Sequence, residues 1–124
     1  MSDIENRNDI ELLVNTFYEH ARSDKVIGYF FNEVVEINWP DHIQKITDFW
    51  ETTLLGNMKY TGNPMSVHFE INQLAPLEKS HFQQWIVIFE RTVDELFSGE
   101  NATTIKERAK SIALLMNYKI SQTT

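Results

Sequence analysis

Apolar residues recur at spacings of three and four along almost the whole chain, and that period points to helices. Ile10, Leu13, Val14, Phe17, Tyr18 and Ala21 fall on one stripe with polar residues between them. A second stripe carries Ile43, Ile46, Phe49, Trp50 and Leu54, a third Phe82, Trp85, Ile86, Phe89, Val93 and Phe97, and a fourth Ile105, Ala109, Ile112, Ala113 and Met116. The four glycines and three prolines cluster at breaks between stripes. The expected fold class is therefore all-α. "WIVIF", residues 85–89, would suit a strand in isolation, but the helical stripe continues on both sides of it.

The stripes predict long helices over residues 8–22, 38–56, 77–97 and 101–120. Asn8 with Glu11 resembles a capping box, and Gly56 and Gly99 are expected to terminate the second and third helices. "KVIGYFF", residues 25–31, reads as a turn of helix followed by a corner.

A chain of 124 residues suits one domain over 1–124 with its own core, residues 1–8 being read as a loosely ordered N-terminal tail. The net charge of −7 argues against nucleic acid and anionic membrane as partners. Without cysteine there are no disulfides and no thiolate zinc site. No apolar run approaches the roughly 20 residues of a membrane span, and the polar "MSDIENRND" lacks a signal-peptide core. A cytoplasmic location is the resulting expectation. Eight Phe, four Tyr and three Trp are many for this length and suit a bulky core or a pocket lined with rings.

Polar groups on apolar stripes are the candidates for chemistry: Tyr18, His42, His81 and Trp85, with His68 in "GNPMSVHFE", residues 62–70. Each has an ordinary reading. Tyr18 suits a core ring whose hydroxyl meets a backbone carbonyl, Trp85 a core indole, and His42 a solvated first-turn residue. Lys45 reads as a surface charge, His81 as partly exposed, and His68 as either a core histidine or a metal ligand. Paired Ser/His/Asp, a glycine-rich phosphate loop and H-E-x-x-H are all absent from the sequence. Zinc needs three or four protein ligands, whereas haem iron needs one proximal histidine. A small all-α domain with many rings, one histidine among apolar neighbours and a few polar residues on facing stripes meets the requirements of a haem site.

The stretches "FYEHARSDKVIGYFF", "WPDHIQKITDFWETTLLG", "YTGNPMSVH" and "HFQQWIVIF" carry a resemblance. Over roughly residues 10–116 the chain resembles the truncated haemoglobins, and within them the bacterial third group. The glycine-glycine motifs of the other groups are missing here. The resemblance implies a truncated globin fold, with paired helices sandwiching haem b. It implies that His68 is the proximal iron ligand, Tyr18 the distal tyrosine, His42 the histidine at the distal gate position and Trp85 the distal tryptophan. It places Phe31 at the corner packing on the porphyrin and Ile46 on the distal side. Tyr29 departs from the family, which often has proline there.

Burial of a large apolar porphyrin would drive its binding. Phe31, Ile46, Phe49, Trp50, Met65, Phe82, Ile86, Phe89 and Met116 are the expected lining, some of them shared with interhelical core. Lys45, ahead of Lys59 and Tyr60, is the first candidate to meet the anionic propionates. Bound O₂ acquires partial negative charge, so Tyr18 and Trp85, with His42 beside them, would hold it through donated hydrogen bonds. Each is worth roughly 1.5–3 kcal/mol, and each 1.4 kcal/mol is about tenfold in rate. High O₂ affinity and slow release are expected, which suits scavenging, sensing or redox chemistry of O₂, NO or peroxide better than oxygen delivery. CO would bind at the same position. Peroxidase-like or NO dioxygenase turnover would use this pocket with an unidentified reductase as electron donor. A haem-free helical interaction module is the remaining alternative.

Overall fold

Asn6 starts the first helix. Its side chain accepts from the backbone N–H of Asp9 at 3.0 Å, and α1 runs over Arg7–Ser23. The sequence places this cap at Asn8, which lies inside the helix, because Asn6 already fills the capping position three residues before Asp9. The Asp9 carboxylate in turn accepts from the N–H of Glu5 at 2.9 Å. All six residues of the expected stripe are buried. The computed structural model describes residues 2–34, 38–56 and 77–123, and the secondary structure among them is entirely helical.

After α1 the chain doubles back. Asp24 turns it by accepting from the N–H groups of Val26 and Ile27, at 2.8 and 3.0 Å. Gly28 then passes so close to α1 that an added Cβ would lie 2.8 Å from the Arg22 carbonyl oxygen. The expected corner is a π-helical segment, Phe30–Val34. Asn38 caps α2, Trp39–Trp50, by accepting from Asp41 N–H, with Pro40 in the first turn where its missing N–H costs nothing. A second π-helical segment, Glu51–Leu55, continues it to Gly56, whose φ of 78° gives the left-handed stop expected there. Arg7 binds Asp48 and the buried Glu51, each at 2.7 Å, and ties the start of α1 to the end of α2.

Helix α3 spans Lys79–Leu96, and the Glu78 N–H at its start donates to His81 Nδ1 at 2.9 Å. Helix α4 spans Glu100–Thr123. Its cap comes from the other end of the chain: Asp3 accepts from the N–H groups of Asn101 and Ala102, both at 2.8 Å. Ser98 N–H donates to the Ser2 carbonyl and Ile4 is fully buried. The segment expected as a loose tail over residues 1–8 thus docks from Ser2 onward, and α1 begins within it.

Helix α1 lies against both α2 and α3, and α3 against α4. The main core joins α1 to Trp50, Phe89, Val93, Ile105 and Ala109, and a second cluster holds Phe82, Ala113, Met116 and Ile120. Phe89 stacks on Trp85 at 5.3 Å and on Trp50 at 5.5 Å, locking α2 to α3. Burying one such ring contributes about 1.5–3 kcal/mol.

Candidate functional site

Helix α2 presents two stripes. Ile43, Thr47 and Trp50 face the core, while His42, Ile46 and Phe49, spaced four and three apart, are only half-buried. On α3, Phe82, Phe89 and Val93 are buried, and Trp85 and Ile86 are half-covered. Phe31, in the π-helical corner, is half-buried as well. Between the two helices, α1 sends Tyr18 from its buried stripe.

Tyr18 is the centre of this arrangement. Its hydroxyl is hydrogen-bonded to His42 Nε2 at 2.9 Å, and the imidazole tautomer sets which of them donates. Its ring meets Phe31 at 5.6 Å, Trp39 at 5.4 Å and His42 at 5.1 Å, all edge to face. Burial pushes the phenol's pKa well above its ordinary value, so Tyr18 keeps its proton at neutral pH. The ordinary readings of both residues give way here. The hydroxyl meets a side chain of another helix instead of a backbone carbonyl, and His42 is drawn inward from solvent.

Trp85 is joined to Tyr18 through Phe17, which lies 5.5 Å from Trp85 and 5.0 Å from Tyr18, centroid to centroid. Trp50, Phe82, Phe89 and Met116 are covered by protein in the two core clusters. Lys45 is two-thirds exposed and paired with Asp41 at 3.1 Å along the same helix. His81 serves its own helix start and packs on Phe30 at 4.8 Å. His68 and Met65, with Lys59 and Tyr60, lie outside the described residues.

Two residues at this site escape the sequence analysis. Trp39 touches Tyr18, Phe31 and His42, and Arg22 lies over its ring at 4.4 Å. The spacing of Trp39 and His42, three apart in "WPDH", was the readable signal for the first. Arg22 gives none, because its contact joins separate helices.

The chain matches the bacterial-like globin family over residues 3–118. It belongs to that family. It is 33% identical over 111 residues to a group 3 truncated hemoglobin of Campylobacter jejuni, covering 87% of this chain and 85% of the relative. The crystal structure of a group III truncated hemoglobin from the same organism superposes with a TM-score of 0.83 at 31% identity, over 97% of this chain and 95% of the other. The fold is thus the all-α truncated globin fold, and the chain is a globin of the third truncated group. In this globin, α1 and α2 form one helix pair and α3 and α4 the other.

Membership of the family implies haem and, with it, small ligands at the iron. The described residues of this globin fit the distal half of such a site. They bring a buried phenol, an imidazole hydrogen-bonded to it, and half-covered apolar side chains from three elements. Among the described residues no cluster of three or more His, Cys, Asp or Glu could hold a metal ion by itself.

Proposed function

We propose that this globin binds haem b and holds O₂, NO or CO on it, with high affinity and slow release of O₂. The observation that carries the reading is the buried Tyr18 hydroxyl, 2.9 Å from His42 Nε2 and ringed by aromatic side chains. When bound, haem supplies the iron that takes the diatomic ligand. His68 would be its ligand from the protein. Phe31, Ile46, Phe49 and Ile86, which are not fully covered by protein, would form its apolar wall, with Trp50, Phe82, Phe89 and Met116 as support behind. Met65 would be a further residue against it. Lys45 would turn from Asp41 to a propionate, an exchange of one exposed ion pair for another that costs little.

With His42 donating from Nε2–H to the phenol oxygen, or turned aside, the protonated phenol of Tyr18 donates to a ligand that takes on negative charge. Trp85 supplies an indole N–H as the second donor. Each bond strengthens as charge builds on the ligand, so release slows by tenfold or more per donor. Such retention suits O₂ or NO removal, or redox chemistry with a reductase, over delivery. The chain would act as one domain.

Stopped-flow O₂ dissociation tests the reading. Tyr18→Phe and Trp85→Phe should each accelerate release about tenfold or more; unchanged rates in both would refute the roles given to them. His68→Ala should abolish the five-coordinate ferrous spectrum, and its retention would place the iron ligand elsewhere.

A further inference from the structure

Trp39, like Tyr18, touches every other aromatic member of the distal cluster on α1, the corner and α2. It meets Tyr18 at 5.4 Å, His42 at 5.8 Å and Phe31 at 6.2 Å. It also lines a groove of about 380 Å³ between α1 and α2, together with Glu11, Asn15, Pro40, Ile43 and Gln44. The indole therefore stands as a wall between the Tyr18–His42 pair and a surface groove, with open space on its outer side.

Arg22 holds the wall. Its guanidinium carbon lies 4.4 Å from the Trp39 ring centroid, within the range of a cation–π contact. The backbone that launches it is fixed independently of Trp39. Asn32 donates to the Arg22 carbonyl at 2.9 Å, Gly28 packs against that same carbonyl, and Asp24 is held by Gln84 of α3 at 2.8 Å. A side chain rooted this firmly at the end of α1 can pin a ring at the start of α2.

We infer that Trp39, latched by Arg22, is a positioning residue for ligand binding: it keeps His42 and Tyr18 in register and controls passage between the α1–α2 groove and the distal side. The inference rests on the distal role proposed for Tyr18. It makes a kinetic distinction. A hydrogen-bond donor slows escape alone, whereas a wall slows entry and escape together. Opening the latch should therefore raise both CO rate constants by a similar factor and leave CO affinity nearly unchanged.

Flash photolysis and stopped-flow on the full-length haem-loaded protein read this directly. An exposed cation–π contact of this kind corresponds to about a two- to fivefold change. Arg22→Gln should raise CO association and O₂ dissociation by that factor, and Arg22→Lys should recover part of it. CO is neutral, so the lost charge has no steering effect on the rate. Trp39→Leu should exceed both. In the CO-bound protein, nuclear Overhauser contacts between the Trp39 indole and His42 imidazole protons should weaken in Arg22→Gln and return in Arg22→Lys. Unchanged CO association with intact contacts in Arg22→Gln would overturn the latch. Tyr18→Phe in parallel separates the two readings. If it accelerates O₂ release while Arg22→Gln changes neither rate, the latch alone fails; if Tyr18→Phe changes nothing, the distal reading fails on its own evidence.

Discussion

Tyr18 shows how one position gains its chemistry from its surroundings. On α1 it is simply the next member of an apolar stripe after Val14. Packing takes its hydroxyl out of water, and burial raises its pKa. The folded protein then holds the phenolic proton more tightly than the unfolded chain does. The resulting stability is fully present below about pH 10, the ordinary tyrosine value, and is lost as pH climbs above it. Urea unfolding between pH 9 and 11 should show a steeper alkaline loss for the wild type than for Tyr18→Phe; equal slopes would mean the phenol is more solvated than its burial indicates. The stripe made Tyr18 legible in the sequence, since its place follows from the helical period. Its partner did not follow, because nothing in "DHIQK" says that His42 turns inward. Arg22 on Trp39 was illegible for the same reason: a contact across helices leaves no local pattern.

Among the elements, the four long helices follow from the apolar period, and their ends differ from the expected ones mostly by one to three residues. The corner differs in kind. A short apolar run containing glycine became a turn and a π-helical segment because Gly28 lets the chain press on the Arg22 carbonyl. Gly28→Ala should destabilise by about 1–3 kcal/mol through that overlap, measured by denaturant unfolding. The cap of α4 was hidden because Asp3 comes from the opposite end of the sequence. Asp3→Ala should cost about 1 kcal/mol, as loss of a helix cap does, and expose the Asn101 and Ala102 amides to faster hydrogen exchange. Burial alone would raise the Asp3 carboxyl's pKa, but bonds from the Asn101, Ala102 and Ile4 amides outweigh it and the net shift is downward. Asp24 shifts downward too: burial raises it, and the Gln84 side chain with the Ile27 and Val26 amides outweighs that. A carboxylate held this way stabilises the fold above its unfolded value near pH 4, and the contribution disappears as pH falls through the lower folded value. Acid unfolding should therefore begin at higher pH in Asp3→Ala.

At the scale of the whole molecule, two helix pairs leave a half-covered apolar wall beside a buried phenol hydrogen-bonded to an imidazole. The resemblance in "WPDHIQKITDFW" and "HFQQW" pointed to these residues before any fold was known. Periodicity alone would not have done so, because a core ring and a ring that packs on a porphyrin occupy the same stripe. Trp50 and Phe89 illustrate this, since both lie on the expected lining yet are covered by one another. A ligand that fills the wall stabilises only the folded state. At a thousandfold excess over its dissociation constant it adds about 4 kcal/mol. Loaded protein should thus melt about 10 °C or more above the haem-free form. The most direct test is the optical spectrum of the purified protein in its ferric, ferrous and CO-bound forms. The haem-bound protein should show a Soret band that shifts on reduction and again on adding CO. A protein that stays colourless and takes up no hemin would contradict haem binding.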